Sequence, residues 1–233
     1  MSARGIFVTG TDTGVGKTLI ACALVRALRE EGAQVAVMKP VASGAFQTPD
    51  GLRNADALAL MDAAGMKSSA RYDEVNPYCF EPAISPHIAA REAGITVDTS
   101  MIKQQYDKLA ADADWVVVEG AGGWYAPINE HQTMADIAWA LNVPALMVVG
   151  VKLGCLNHAQ LTRLGVESHG VPLAGWVVSG IDRHMTRVEA NLETLERLLG
   201  EPPLAVVPHL AAGTDAIALA ELARALAQRV ISF

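Results

Sequence analysis

The stretch "FVTGTDTGVGKT", Phe7 to Thr18, decides the fold. With Gly5 and Ile6 before it, "GIFVTG" is a short apolar run of the kind that makes a buried strand. Gly10, Gly14 and Gly16 then bend the chain, and Lys17-Thr18 opens the amphipathic run "KTLIACALVRALREEG". A strand, a Gly-rich bend and a helix headed by lysine and a hydroxyl make a phosphate cradle. Backbone N–H groups turn inward, the helix N-terminus adds partial positive charge, Lys17 reaches the terminal phosphates, and Thr18 can hold Mg²⁺. The usual spacing leaves four residues between the first glycine and Gly-Lys; here five separate Gly10 from Gly16, so the loop is a variant. The alternative is a Gly-rich turn with a solvated lysine, and the flanking strand and helix favour nucleotide binding over it.

Outward from the loop the alternation continues. "AQVAVMKP", "DWVVVEGAGG", "VPALMVVGV", "PLAGWVVSG" and "PLAVVP" are continuously apolar, as expected of strands covered on both faces. Between them "ADALALMDAAG", "TSMIKQQYDKLAADA", "MADIAWALN", "CLNHAQLTRLGVESHG" and "RVEANLETLERLLG" space apolar residues by three and four, and several stop at glycine. A last helical pattern runs from Asp215 to Val230. The order predicts an α/β fold: a three-layer, mainly parallel sheet with helices on both faces, joined by right-handed crossovers. Ligands of such sheets bind beyond the carboxyl ends of the strands. Residues 43–53 and 71–86, rich in Pro, Gly and Asn, read as working loops. The even composition of the 233 residues marks no boundary, so a single domain over 1–233 is expected.

The net charge of -7 argues against a nucleic-acid partner, which favours a basic face. Cys22, Cys79 and Cys155 are scattered without a CxxC pair, which disfavours a disulfide scaffold or zinc site and fits a reducing compartment. "MSARG" leads into an apolar run too short for a signal sequence or membrane span. A soluble cytoplasmic protein without a membrane partner is expected.

"GTDTGVGKT", "KPVASG", "LRNADALAL", "NPY", "SPHIAA", "EGAGGW" and "VVGVKLGCLNHA" occur in this order. By that ordered set the chain resembles the dethiobiotin synthetase family of biotin synthesis, well over residues 5 to 180 and loosely in the C-terminal quarter. The resemblance implies a P-loop NTPase-type fold and a homodimer that takes ATP with Mg²⁺, 7,8-diaminononanoate, and CO₂ or bicarbonate. It gives dethiobiotin, ADP and phosphate through a carbamate and a carbamic–phosphoric anhydride.

Lys39 ends the second strand, and Pro40 keeps its backbone extended, which directs the lysine out of the strand end toward the phosphate loop. A surface lysine is the alternative. The resemblance makes Lys39 catalytic beside Lys17, and two ammonium groups suit a transferring phosphoryl group and its anionic acceptor. Asp56 follows Asn54 at a helix start, where the helix dipole alone favours an acidic residue. Glu119 ends a strand before a flexible Gly run, which favours a site over the alternative of a solvated terminal glutamate. With Thr18 these two carboxylates offer the hard oxygens that Mg²⁺ prefers, and the resemblance assigns all three to the metal.

It also implies nucleotide contacts at Gly14, Val15, Gly16 and Leu19 and at Gly120, Ala121 and Gly122, and substrate contacts at Thr13 and Ser43. "VKLGCLNHA" is a strand-to-helix corner whose free N–H groups suit a carboxylate; an ordinary capped helix start is the alternative. In the family this corner comes from the other subunit, which implies Leu153, Gly154 and Asn157 at the substrate's carboxylate tail. Lys152 reads as solvated, and His87 has no assigned role. Where the family commonly has an Asn-containing pair for the adenine edge, this chain has Ser179 and Gly180, so base selectivity is relaxed or recovered through backbone groups. Pro208, His209 and Leu210 align with the base side and Asp215 with the ribose.

Two rival readings share the loop. Nucleotide switches of the partitioning and cell-division type carry a lysine where this chain has Asp12. Cobyrinate-type amidoligases normally add a glutaminase domain, which is not expected here.

Overall fold

The structure is a computed structural model that describes residues 3–66, 71–209 and 216–232. Leu210 and Asp215 lie outside the described residues. In chain order the first elements are β1 (Arg4–Gly10), α1 (Lys17–Glu30), β2 (Val35–Met38), β3 (Val41–Ser43), β4 (Phe46–Thr48), β5 (Gly51–Arg53) and α2 (Ala55–Ala64). Next come α3 (Tyr72–Val75), β6 (Tyr78–Phe80), α4 (Pro86–Glu92), α5 (Thr99–Ala110), β7 (Trp115–Glu119) and α6 (Met134–Leu141). The chain then forms β8 (Ala145–Val151), α7 (Cys155–Ser168), β9 (Leu173–Gly180), α8 (Val188–Leu199), β10 (Ala205–Val207) and α9 (Ala216–Ser232).

The main sheet has the order β10-β9-β8-β1-β7-β2, with every neighbouring pair parallel. Its central strands are apolar throughout because both faces are covered. Along β8, Leu146 and Val148 join the larger core, while Met147, Val149 and Val151 face a second cluster with Trp176, Cys155 and Leu195. Side chains alternate with period two, so one continuous apolar run serves two layers. Among the described residues no helix is long and apolar enough to cross a membrane.

Register positions the site. Val8 stands beside Glu119 and Met38 beside Val118, so the loop after β1, Lys39 after β2 and Glu119 at the end of β7 meet at one sheet edge. The chain steps from β1 across to β2 and back to β7, then continues with β8 on the other side of β1. That reversal opens a crevice at the strand ends.

Two segments expected as loops carry structure. Residues 43–53 include an antiparallel hairpin of β4 and β5, and residues 71–86 include α3 and β6, which pairs in parallel with β3. These strands have three residues each, too few for a period to show in sequence.

Candidate nucleotide and metal site

The loop after β1 turns into α1 through Gly16, whose φ is 91°. A Cβ there would also stand 2.7 Å from Ser179 Oγ, so both conformation and space demand glycine. No side chain caps α1, which leaves its first N–H groups free for an anion.

The other side of the loop is tied to β8. Thr11 N–H donates to the Val148 carbonyl at 3.0 Å, and Gly150 N–H donates to Thr11 Oγ1 at 3.3 Å. Asp12 Oδ1 accepts from Thr13 N–H at 2.8 Å while Lys152 Nζ donates to Asp12 Oδ2 at 2.7 Å. Lys152 is therefore paired across the loop rather than simply solvated, and its bond holds the Asp12 carboxyl below the usual range.

Lys17 is buried and donates to the Asp12 carbonyl at 2.9 Å. Burial, reinforced by the nearby Lys39 charge, lowers its ammonium to about 8. Lys39 is 3% exposed, which overturns the surface-lysine alternative. Its Nζ donates to Glu119 Oε1 at 2.7 Å, Asp56 Oδ2 at 3.0 Å and the Gly120 carbonyl at 3.4 Å. Burial works to lower the Lys39 ammonium, but Glu119 and Asp56 outweigh it and hold it above its ordinary value. Burial likewise works to raise the Asp56 carboxyl, and Lys39 more than reverses it.

Asp56 sits in the first turn of α2, whose N-cap Asn54 accepts from the Asp56 and Ala57 N–H groups. The helix-dipole account of Asp56 holds, and the ion pair with Lys39 adds to it. Glu119 is 1% exposed, and its Oε1 also accepts from Thr18 Oγ1 at 2.8 Å. Its Oε2 is buried without a partner among the described residues. An orphaned carboxylate oxygen beside a hydroxyl and a second carboxylate fits a hard cation such as Mg²⁺.

These groups line one cleft of about 370 Å³, together with Thr13, Gly14, Gly16, Ser43, Ala121 and Gly122. Val15 is instead buried in the core, Leu19 packs against it, and Gly120 faces the Phe7 ring and offers its carbonyl. Ser179 is buried beneath the loop at Gly16. Gly180 lies against Pro208 and His209, where a Cβ would come within 2.7 Å of His209 N. Leu153, Gly154 and Asn157 do not line the cleft; Leu153 is 93% exposed at the start of α7. Sequence reasoning missed Asn54 and Ala42 in the cleft wall. An Asn directly before an apolar helical run is a capping signal that would have found Asn54.

A family model described as an AAA domain matches residues 4–216. The chain is 47% identical over 214 residues to the ATP-dependent dethiobiotin synthetase BioD of Pseudomonas paraeruginosa, covering 91% of this chain and 93% of that one. It is 44% identical over 220 residues to the Xylella fastidiosa protein of the same name, covering 94% and 96%. Among solved structures it is similar to the cell-division proteins MinD. With the Aquifex aeolicus MinC:MinD complex the TM-score is 0.64 at 17% identity, covering 99% of this chain and 97% of that one. With Pyrococcus horikoshii MinD complexed with Mg-ADP it is 0.57 at 16% identity, covering 98% and 96%. At such identity these likenesses establish the P-loop α/β fold alone.

Proposed function

The chain belongs to the dethiobiotin synthetase family, and on that premise we propose that it closes a cyclic urea on 7,8-diaminononanoate with CO₂ and ATP. The observation that carries this reading is the convergence of Lys17, Lys39, Thr18, Asp56 and Glu119 on one cleft before the uncapped N-terminus of α1. A single domain carries the whole activity.

The triphosphate lies on the loop's N–H groups, and Lys17 exchanges the Asp12 carbonyl for phosphate oxygens. One amine of the diamine combines with CO₂, loses a proton and becomes a carbamate. A carbamate oxygen attacks the γ-phosphorus and ADP departs, leaving a carbamic–phosphoric anhydride. The second amine attacks its carbonyl carbon, phosphate departs, and loss of a proton from that nitrogen completes the ring. Phosphorylation is needed because the carbamate carbon is otherwise a poor electrophile. Lys39 faces the transferring group and offsets its charge, and the phosphoryl step needs positioning more than a general base. Thr18, Asp56 and Glu119 would hold Mg²⁺, which neutralises phosphate charge when bound.

The protein works as a homodimer. Leu153, Leu161 and Leu164 stand exposed along the corner and one face of α7, and a second copy would cover them while offering Leu153, Gly154 and Asn157 to the substrate's carboxylate tail. Gly180, Pro208 and His209, with Leu210 and Asp215, serve the base and ribose; Ser179 supports the loop from below. Three free cysteines fit the cytoplasm.

The test is purified protein with MgATP, bicarbonate and the diamine, read by mass spectrometry for the cyclic urea. Phosphate release that responds to DNA, lipid or a protein partner, and not to the diamine with bicarbonate, would overturn the reading in favour of a nucleotide switch.

A further inference from the structure

From Asn54 in the cleft wall a set of buried polar groups runs down beneath the cleft. Asn54, Tyr72 and Asn76 are all buried, and neither Tyr72 nor Asn76 lines the cleft. We propose that Tyr72 is a positioning residue: its one hydroxyl, bonded at once to Asn54 and Asn76, fixes Lys39 and Asp56 relative to each other. The proposal rests on the role given to those two residues above.

The bonding follows from what each group can do. Asn54 N–H donates to Tyr72 Oη at 2.7 Å, and a backbone N–H cannot accept. The phenolic proton is therefore available for Asn76 Oδ1 at 3.0 Å, and the Cys79 thiol, 3.6 Å from the same oxygen, can donate to it in turn. Burial raises the Tyr72 phenol well above its usual value, so the hydroxyl keeps that proton. Asn76 Nδ2 donates to the Lys39 carbonyl at 2.7 Å and to the Tyr78 carbonyl at 3.2 Å, which uses both of its protons. Lys39 N–H donates to the Val75 carbonyl at 2.8 Å. Both backbone polar groups of Lys39 are thus pinned by residues 75 and 76.

The other arm runs through Asn54. Its Oδ1 caps the turn that carries Asp56, and its Nδ2 donates to the Ser43 carbonyl at 3.3 Å. The Lys39–Asp56 ion pair at 3.0 Å then joins the two arms at the top. The Arg53 guanidinium over the Tyr72 ring, 4.1 Å from its centroid, fixes the ring. A buried, satisfied polar network specifies one geometry where an apolar cluster of equal volume would allow several. Here that geometry belongs to the ammonium and carboxylate that face the phosphates.

Tyr72→Phe keeps the ring and removes the hydroxyl. The expected result is a kcat for ring closure lower by about tenfold or more, as for other supporting-shell losses. ATP affinity measured without Mg²⁺ should stay within about threefold of wild type, while the Mg²⁺ needed for half-maximal nucleotide binding rises by about tenfold. Asn76→Ala should act through the same route, so the double variant should be no slower than the slower single variant. A lower melting temperature with unchanged kcat and Mg²⁺ dependence would make Tyr72 a purely structural residue. Losses that multiply in the double variant would overturn the shared route. If wild type forms no cyclic urea, the functional reading fails by itself, and the Mg²⁺ dependence of nucleotide binding still decides this proposal.

Discussion

The cleft before α1 and the corner between β8 and α7 stand at the same edge of the sheet and are finished differently. In the cleft both lysines have anionic or carbonyl partners from the same chain: Lys39 has Glu119 and Asp56, and Lys17 has the Asp12 carbonyl. At the corner Leu153 is almost wholly exposed, Leu161 and Leu164 are more than half exposed, and α7 begins without a side-chain cap. Charge can be balanced locally, because one partner a few ångströms away suffices. Covering apolar surface takes area, and one copy of the chain leaves these leucines to solvent. On the proposed function, chemistry is housed within a protomer, and recognition of the substrate tail is shared with a second copy.

The sharpest way to break that division is Lys39→Ala. Ring closure should fall by at least about a hundredfold, the scale of losing one preorganised charge-stabilising group. The variant should also unfold more readily, because Glu119 is left buried without its counter-charge, at a cost of about 3–5 kcal/mol. Adding Glu119→Gln should recover much of that stability and none of the activity. If ring closure survives in Lys39→Ala, the cleft is not where the chemistry happens.

Next in size is Leu164→Glu on the exposed face of α7. A charge set in an apolar contact between copies should shift the mass in solution from dimer to monomer and raise KM for the diamine by about tenfold or more. ATP affinity should stay within about threefold, since the cleft is complete in one chain. An unchanged mass and KM would mean that this face meets solvent in the working enzyme.

The two regions were also unequally legible in the sequence. The loop, its lysine and the strand ends of Lys39 and Glu119 follow from patterns that span a few residues. Pairings across 80 or 140 residues, such as Lys39 with Glu119 and Lys152 with Asp12, leave no mark in spacing, so Lys152 read as solvated. Tyr72 and Asn76 fell in a segment read as loop, because the elements around them are too short for a period. The role proposed for the corner comes from resemblance alone, since an exposed leucine by itself carries no message.

A smaller effect separates function from stability within the cleft. The Lys17 ammonium sits at about 8 in the folded chain against 10.5 unfolded. Between those values the unfolded chain holds more protons, so this group's contribution favours folding increasingly as pH rises from 8 to 10.5. Below 8 its cost is fully present, about 3 kcal/mol from the gap between the two values. Lys17→Met should therefore raise the melting temperature at pH 7 by about 5 °C while weakening nucleotide binding. Its advantage over wild type should shrink above pH 8. A stability gain that ignores pH would mean that packing, not the buried charge, is responsible.

The smallest expected effect tests whether the corner depends on its partner for shape or only for cover. Cys155 at the start of α7 is buried against Val151, Ala159 and Trp176 of its own chain. Cys22 is buried in α1, where loss of solvent and the Glu119 charge push its thiol up to about 11. At pH 8 a thiol reagent should leave both unlabelled in the native protein and reach half-buried Cys79 slowly. In monomeric Leu164→Glu the Cys155 rate should change by less than about twofold, because the burial that protects it is internal. A large acceleration confined to Cys155 would show that the second copy props the corner in place. The contrast between the two regions would then be one of folding, and substrate affinity would fall through loss of shape as well as loss of cover.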